Sequence, residues 1–255
     1  MRSEETFQCS ILHCLDGAKN ATGLTVIIDV FRAFSVECYL YEMGARLVRP
    51  VGTIEEARCL HEKIPDSILI GERKGIRCDG FDFGNSPSSL IRDKVEGKVA
   101  IHTTSAGTQG IVNATKASEI ITGSLVNARA VSDYIQRRRI DLAEKGRGLK
   151  VSLVAMGLSG ERIAQEDELC AEYIRSLVMD GKAPEDFETR KSGLRNFDGR
   201  RFFDPDLQKD FPEKDYWMCI DHDRFPFVLS VKKDEWGYYS ERIMSPEQRP
   251  ATPRP

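Results

Sequence analysis

LTVIIDVFRAFSVECYLYEMGA, residues 24–45, decides the fold class. Its first part, LTVIID (24–29), is a short apolar run rich in β-branched residues, the composition of a strand buried on both faces. The segment after it, FRAFSVECYLYEMGA (31–45), carries helix-compatible spacing and stops near Gly44. The same alternation recurs outward from this unit. ARLVRPV (45–51) reads as strand and TIEEARCLHEKI (53–64) as helix, opened by a T-x-x-E box in which Thr53 and Glu56 each satisfy a free backbone N–H. SILIGE (67–72), KVAIHTT (98–104), EIITGS (119–124) and LKVSLVAMG (149–157) read as further strands, with helices over 105–117, 127–146 and 161–181. Apolar strands alternating with helices predict an α/β fold: a mostly parallel sheet with helices flanking both faces.

Composition narrows the function classes. The 255 residues include 37 basic and 40 acidic side chains, a net charge of -3, which argues against a nucleic-acid protein held by a basic face. No apolar run approaches the roughly 18 residues of a membrane helix, and the opening MRSEETFQCS is charged where a signal peptide is apolar. A cytoplasmic chain without membrane association is therefore expected. The seven cysteines are scattered, with no C-x-x-C pair, which predicts reduced thiols rather than a disulfide framework or a zinc knuckle. Residues 1–244 are expected to form one α/β unit. Within it, 182–215 holds eight basic and nine acidic side chains and predicts a solvated surface excursion or small helical insert. WMCIDHDRFPFVLSVKK (217–233) supplies a closing strand, and the proline-rich 245–255 a disordered tail.

In open α/β sheets, ligands bind beyond the carboxyl ends of the strands. Those ends carry Asp29, Arg32 and Ser35; Glu72, Arg73 and Lys74; Thr103, Thr104, Ser105 and Thr108; and, after Gly157, the acids Glu166, Asp167 and Glu168. Asp29 suits either a helix N-cap or a metal-binding or catalytic carboxylate, and the two roles are compatible. Glu72 and Arg73 fit a surface ion cluster or a site beneath the glycine-punctuated loop GIRCDGFDFGNSPSS (75–89). In that loop Ser86 is the expected N-cap before Pro87 at the first helical position. HTTSAGTQG (102–110) offers hydroxyls and free N–H groups at a strand-to-helix turn, suited to a phosphate or sulfonate, although it is not a Walker A loop. His102 is expected to satisfy a core hydrogen bond. Of the trio Glu166–Glu168, adjacent residues lie about 100° apart on a helix, so only part can face one site.

These blocks, VIIDVFRAFS (26–35), GERKGIRCDGFDFGNSPSSL (71–90), HTTSAGTQGI (102–111) and GLSGE…EDELCA (157–171), resemble the 2-phosphosulfolactate phosphatase (ComB-like) family in order and approximate spacing. The resemblance implies an architecture of two similar packed lobes with a cleft between them. It also implies Mg²⁺-dependent hydrolysis of 2-phospho-3-sulfolactate to 3-sulfolactate and phosphate, a step of coenzyme M biosynthesis where that pathway exists. Asp29, Arg32, Glu72 and Arg73 would then be catalytic, and Asp29, Glu72, Glu166 and Asp167 the candidate Mg²⁺ ligands. Ser35, Asn85, Ser86, Thr103, Thr104, Ser105 and Thr108 would bind the small anionic phosphate ester. Two departures bear on the substrate: Phe31-Arg32-Ala33-Phe34-Ser35 stands where the family has L-R-A-T, and Thr103–Thr108 lacks the amide of T-T-x-N-G-T. Two other functions fit the same residues, a phosphatase for another small phosphorylated hydroxy acid and a non-catalytic sensor of an anionic metabolite. A homo-oligomer is compatible with the sequence.

Overall fold

A computed structural model describes residues 7–244, so the proline-rich tail lies outside the described residues. The strands are β1 (Gln8–His13), β2 (Gly23–Ile28), β3 (Leu47–Pro50), β4 (Ser67–Arg73), β5 (Ile76–Arg77), β6 (Val99–Thr103), β7 (Ala117–Gly123), β8 (Lys150–Ala155), β9 (Phe227–Asp234) and β10 (Gly237–Met244). The helices are α1 (Cys14–Asn20), α2 (Ala33–Glu42), α3 (Ile54–Lys63), α4 (Arg92–Val95), α5 (Gly107–Asn113), α6 (Ala128–Ala143), α7 (Gln165–Asp180), α8 (Phe187–Gly193) and α9 (Glu213–Ile220).

The apolar strand runs are continuous because successive side chains enter different cores. Along β2 and β8, Val26, Ile28, Leu153 and Ala155 pack with α6 and α7, while Ile27 and Val154 face α1 and α5. Along β4 and β6, Ile68, Ile70 and Ala100 face one core and Leu69, Val99 and Ile101 the other. Each fully buried Ile or Leu here stabilises the fold by about 1.5–3 kcal/mol. The Thr53–Glu56 capping box opens α3 as the sequence predicts.

Ten strands form one sheet in the order β1-β8-β2-β7-β9-β10-β3-β6-β4-β5. Two parallel blocks, β1-β8-β2-β7 and β3-β6-β4, are bridged by the antiparallel β9–β10 hairpin. Because β7–β9 and β10–β3 are antiparallel as well, the blocks run in opposite senses. The α/β class stands. The parallel strands fall into two blocks of one continuous sheet.

The chain crosses between blocks twice. After β2, α2 packs Val36, Tyr39 and Leu40 against Val48, Ile68 and Ile70 of the other block. After β6, α5 returns and packs Ile111 beside Ile27 and Val154. The crossings, at Asp29–Ala33 and Thr103–Gly107, touch. These are the chemistry-rich turns of the sequence.

Three features depart from the sequence reading. The sequence reading has no β1–α1 unit and no strand β10, because QCSILH and GYYSERIM mix polar with apolar residues and lack a β-branched apolar run. The charged stretch 182–215 is not wholly a solvated excursion: Phe187, Leu194, Phe202, Phe211 and Asp215 within it are buried. Its aromatic rings made the difference, since Phe202 packs edge-on against Phe31 at 5.1 Å and near Phe211 at 5.8 Å. Ser86 does not cap the short 3₁₀ turn at Pro87–Ser89; its hydroxyl donates to Asp215 instead.

Candidate active site

Asp29 sits where the crossings touch. It follows the last residue of β2, is 7% exposed, and accepts a hydrogen bond from Ala33 N–H at 3.1 Å, the first residue of α2. The Gly107 N–H, at the start of α5, also acts on this carboxylate and holds its pKa down. Only glycine fits at 107. A Cβ there would lie 2.7 Å from Ala33 Cβ and 2.9 Å from Asp29 Oδ2. The capping role of Asp29 is thus real, and it fixes the carboxylate at the wall of a cavity of about 340 Å³.

Three more carboxylates line that cavity. Glu72 ends β4 and accepts from Ser105 N–H at 2.7 Å, Ser105 Oγ at 3.1 Å and Gly75 N–H at 2.6 Å. Asp167, in the first turn of α7, accepts from Val30 N–H at 2.7 Å through Oδ1 and from Gly157 N–H at 2.8 Å through Oδ2. These two acids clamp the turns together. Glu166 differs: it is 3% exposed and its Oε2 has no hydrogen-bond partner.

Burial dominates the electrostatics. It pushes the Asp29 carboxyl up to about 6, and the charge of Glu72 adds to the rise. Burial likewise raises Glu166 to about 7, with Asp198 and Asp29 contributing. Asp167 is driven well above the usual carboxylate range by burial, then by the charges of Asp29 and Glu166. Carboxylates gathered in this way favour a cation among them.

The arginines divide into tied and open. Arg32, 2% exposed, donates through Nη1 to Asp215 Oδ2 at 2.7 Å and to the Asp210 carbonyl at 2.8 Å. Its guanidinium lines the cavity, yet its charge is matched by buried Asp215. Arg73 points away from the cavity lining and donates to Thr103 Oγ1 at 3.0 Å and to the Glu72 carbonyl at 2.7 Å. Exposed Lys74 and half-buried Arg201 also line the wall.

Among the neutral groups, Asn85 and Ser105 reach the cavity. Asn85 Oδ1 lies 3.3 Å from His102 Nε2, and His102 Nδ1 lies 3.2 Å from Glu37 Oε1. His102 thus satisfies core hydrogen bonds as expected, and the chain of contacts holds the Asn85 amide at the wall. The other hydroxyls turn inward. Ser35 donates to the Val30 carbonyl, and Thr104 and Thr108 exchange reciprocal bonds with each other's backbone. Of the residues singled out from sequence, Asp29, Arg32, Glu72, Asn85, Ser105, Glu166 and Asp167 therefore share the cavity; Ser35, Arg73, Ser86, Thr103, Thr104 and Thr108 support it from behind. Arg201 and Phe211 were missed. The signal available was the aromatic pair in GRRFFDPD, which a solvated loop would not carry.

Burial holds the cysteine thiols in this region inert. Cys170, within α7, is pushed well above the usual thiol range, and Cys78 is raised as well. No thiolate nucleophile is offered here.

Among the described residues no three Asp, Glu, His or Cys side chains converge as a ready-made cage. Mg²⁺ does not require one, because it commonly takes one or two carboxylates and completes its shell with water and phosphate oxygens. The unpartnered Oε2 of Glu166 beside Asp29 fits that pattern.

The fold and cavity define an α/β protein with a pocket lined by four carboxylates and by basic side chains. The sequence model of the 2-phosphosulpholactate phosphatase family matches residues 12–233, and the chain belongs to that family. Relatives bear the printed name "Probable 2-phosphosulfolactate phosphatase". One from Clostridium acetobutylicum is 40% identical over 163 residues, 64% of either chain. One from Carboxydothermus hydrogenoformans is 34% identical over 75% of this chain and 82% of its own. One from Bacillus subtilis is 28% identical over 87% of this chain and 92% of its own. The match thus spans less than two thirds of the Clostridium acetobutylicum relative. Among the described residues no helix is long and apolar enough to cross a membrane.

Proposed function

We propose that the chain is an Mg²⁺-dependent phosphoric monoester hydrolase that cleaves 2-phospho-3-sulfolactate with water to 3-sulfolactate and phosphate. The observation that carries this reading is Glu166, which lines the same cavity as Asp29 and keeps a buried Oε2 without a hydrogen-bond partner. Family membership supports the reaction class. Asp29 and Glu166 would hold Mg²⁺, which when bound neutralises charge on the phosphoryl oxygens and lowers the pKa of water. Asp29 is oriented for that role by the Ala33 N–H and by close packing against Gly107. Glu72 and Asp167 keep the turns carrying Ser105 and Gly157 in register. Asn85 offers an amide N–H to the substrate, held by His102, and Lys74 supplies a cation at the wet edge. Phosphoryl transfer rests chiefly on such positioning and charge neutralisation.

Phosphate release from 2-phospho-3-sulfolactate, phospholactate and phosphoglycerate tests the reading. The sulfonated ester should be hydrolysed fastest. A faster non-sulfonated ester would transfer the assignment to that acid, and binding without release in the presence of Mg²⁺ would make the chain a sensor. Exhaustive chelation should abolish turnover and added Mg²⁺ restore it; full activity after chelation overturns the metal-dependent mechanism.

Gly107→Ala should also be severe for a single methyl. The new Cβ must displace Ala33 or Asp29. Such overpacking lowers stability by about 1–3 kcal/mol. A shift of the carboxylate by about an ångström lowers turnover by roughly a hundredfold. Parent-like kinetics with a parent-like melt would show that the contact between the two crossings is dispensable.

A further inference from the structure

Two arginines share one aromatic recess. The Arg32 guanidinium carbon lies 4.7 Å from the Phe211 ring centre and 5.5 Å from that of Phe202; for Arg201 the distances are 5.0 Å and 5.5 Å. Arg32 is neutralised by Asp215. Arg201 has no such partner among the described residues. The nearby Asp198 is paired with Arg162 at 2.6 Å, and Glu166 acts on Arg201 only through space. Nε of Arg201 is buried without an acceptor, and its Nη2 makes only a long contact, 3.5 Å, with the Phe31 carbonyl. A guanidinium has five donors, and leaving them unmade away from water is unfavourable. Burial and the neighbouring Arg32 charge both work against the charged form of Arg201. An anion arriving from the cavity, which Arg201 lines, would balance its charge and accept from its Nη donors.

We propose that Arg201 is the receptor for the non-transferring anionic group of the substrate, and that the group it takes is a sulfonate. The proposal rests on the phosphatase reading and adds the residue that sets its selectivity. A sulfonate spreads one negative charge over three oxygens, so it is less costly to move out of water than a phosphate dianion. The cavity beside Arg201 is walled by Phe31 and Phe211, with Phe202 buried behind them, which suits such a group. The planar fork of the guanidinium matches two of its oxygens at once. The phosphoryl end is then left to the polar wall formed by Asp29, Glu166 and Asn85.

Binding measurements on the full chain test this without requiring turnover. Calorimetric titrations with 3-sulfolactate, lactate and inorganic phosphate, each with Mg²⁺ present, would compare the parent with Arg201→Gln and Arg201→Lys. The parent should bind 3-sulfolactate more tightly than lactate. Arg201→Gln should weaken 3-sulfolactate by about tenfold to a hundredfold, the size of a lost charged hydrogen bond, while phosphate weakens far less. Arg201→Lys should fall between the two, because it keeps charge but loses the fork. If Arg201→Gln fails to fold, Arg201→Lys alone carries the comparison, with the same selective loss expected. Equal losses for 3-sulfolactate and phosphate, no loss for either, or a parent that does not prefer 3-sulfolactate to lactate would each overturn the assignment. Selective loss in a chain that hydrolyses none of the esters would uphold the receptor and reject the phosphatase.

Discussion

Asp29→Asn is expected to lower turnover about a thousandfold, equivalent to roughly 4 kcal/mol of transition-state stabilisation, in a protein that still folds. Two effects on stability oppose one another. Asparagine can accept the Ala33 N–H through its carbonyl, but it gives up the negative charge that the Ala33 and Gly107 N–H groups stabilise. Against that, the neutral side chain escapes the burial that pushes the Asp29 carboxyl up to about 6, and it no longer repels Glu166 and Asp167. The net change in stability should therefore be small, about 1 kcal/mol or less. Catalysis has no such compensation, because the charge that would hold Mg²⁺ is gone. Melting curves and phosphate release on the same preparation read both. A variant within about tenfold of the parent would reduce Asp29 to a helix cap.

Asp215→Ala should produce the largest loss of stability, about 3–5 kcal/mol, because it strands a buried arginine. Asp215 is fully buried and accepts from Arg32 Nη1 at 2.7 Å, Ser86 Oγ at 3.0 Å and Ser88 N–H at 2.9 Å. Alanine leaves all three donors without their acceptor. For a chain of this size the melting temperature should fall by roughly 10 °C. Asp215→Asn should be milder, since it keeps an acceptor for Ser86 and Ser88. The pair also ties the stretch that carries Arg201 and Phe211 to the first crossing, so turnover should fall with stability. A melting temperature within about 2 °C of the parent would show that Arg32 finds another partner, and would return it to the role of a substrate-gripping arginine.

The α/β class was legible because β2, β4, β6 and β8 are long enough, and β-branched enough, to announce strands buried on both faces. Asp29, Glu72, Glu166 and Asp167 were legible as a group because each follows a strand or opens a helix at a turn. What each of them does was not. Whether a carboxylate clamps backbone, as Asp167 does, or keeps an oxygen free, as Glu166 does, depends on turns brought together from distant parts of the chain. Arg32 and Arg201 were indistinguishable as residue types, and only the position of Asp215 separates them. The opposed sense of the two sheet blocks was equally hidden, since it is set by the β9–β10 hairpin at the far end of the chain. The stretch 182–215 folds as the short helical insert that the sequence allowed, but its charges hid the burial of Phe202 and Phe211.

The central claim is that the two chain crossings meet at a metal-assisted phosphatase centre built on Asp29 and Glu166. A crystal structure of the protein with Mn²⁺ in place of Mg²⁺ and with phosphate, read by the anomalous signal of the metal, tests it most directly. The expected result is one Mn²⁺ within ligand distance of Asp29 and of Glu166, with phosphate bound to the ion and Glu72 and Asp167 still holding their backbone N–H groups. Manganese at another place on the chain, or phosphate in this cavity with Glu166 Oε2 still unpartnered, would contradict the account.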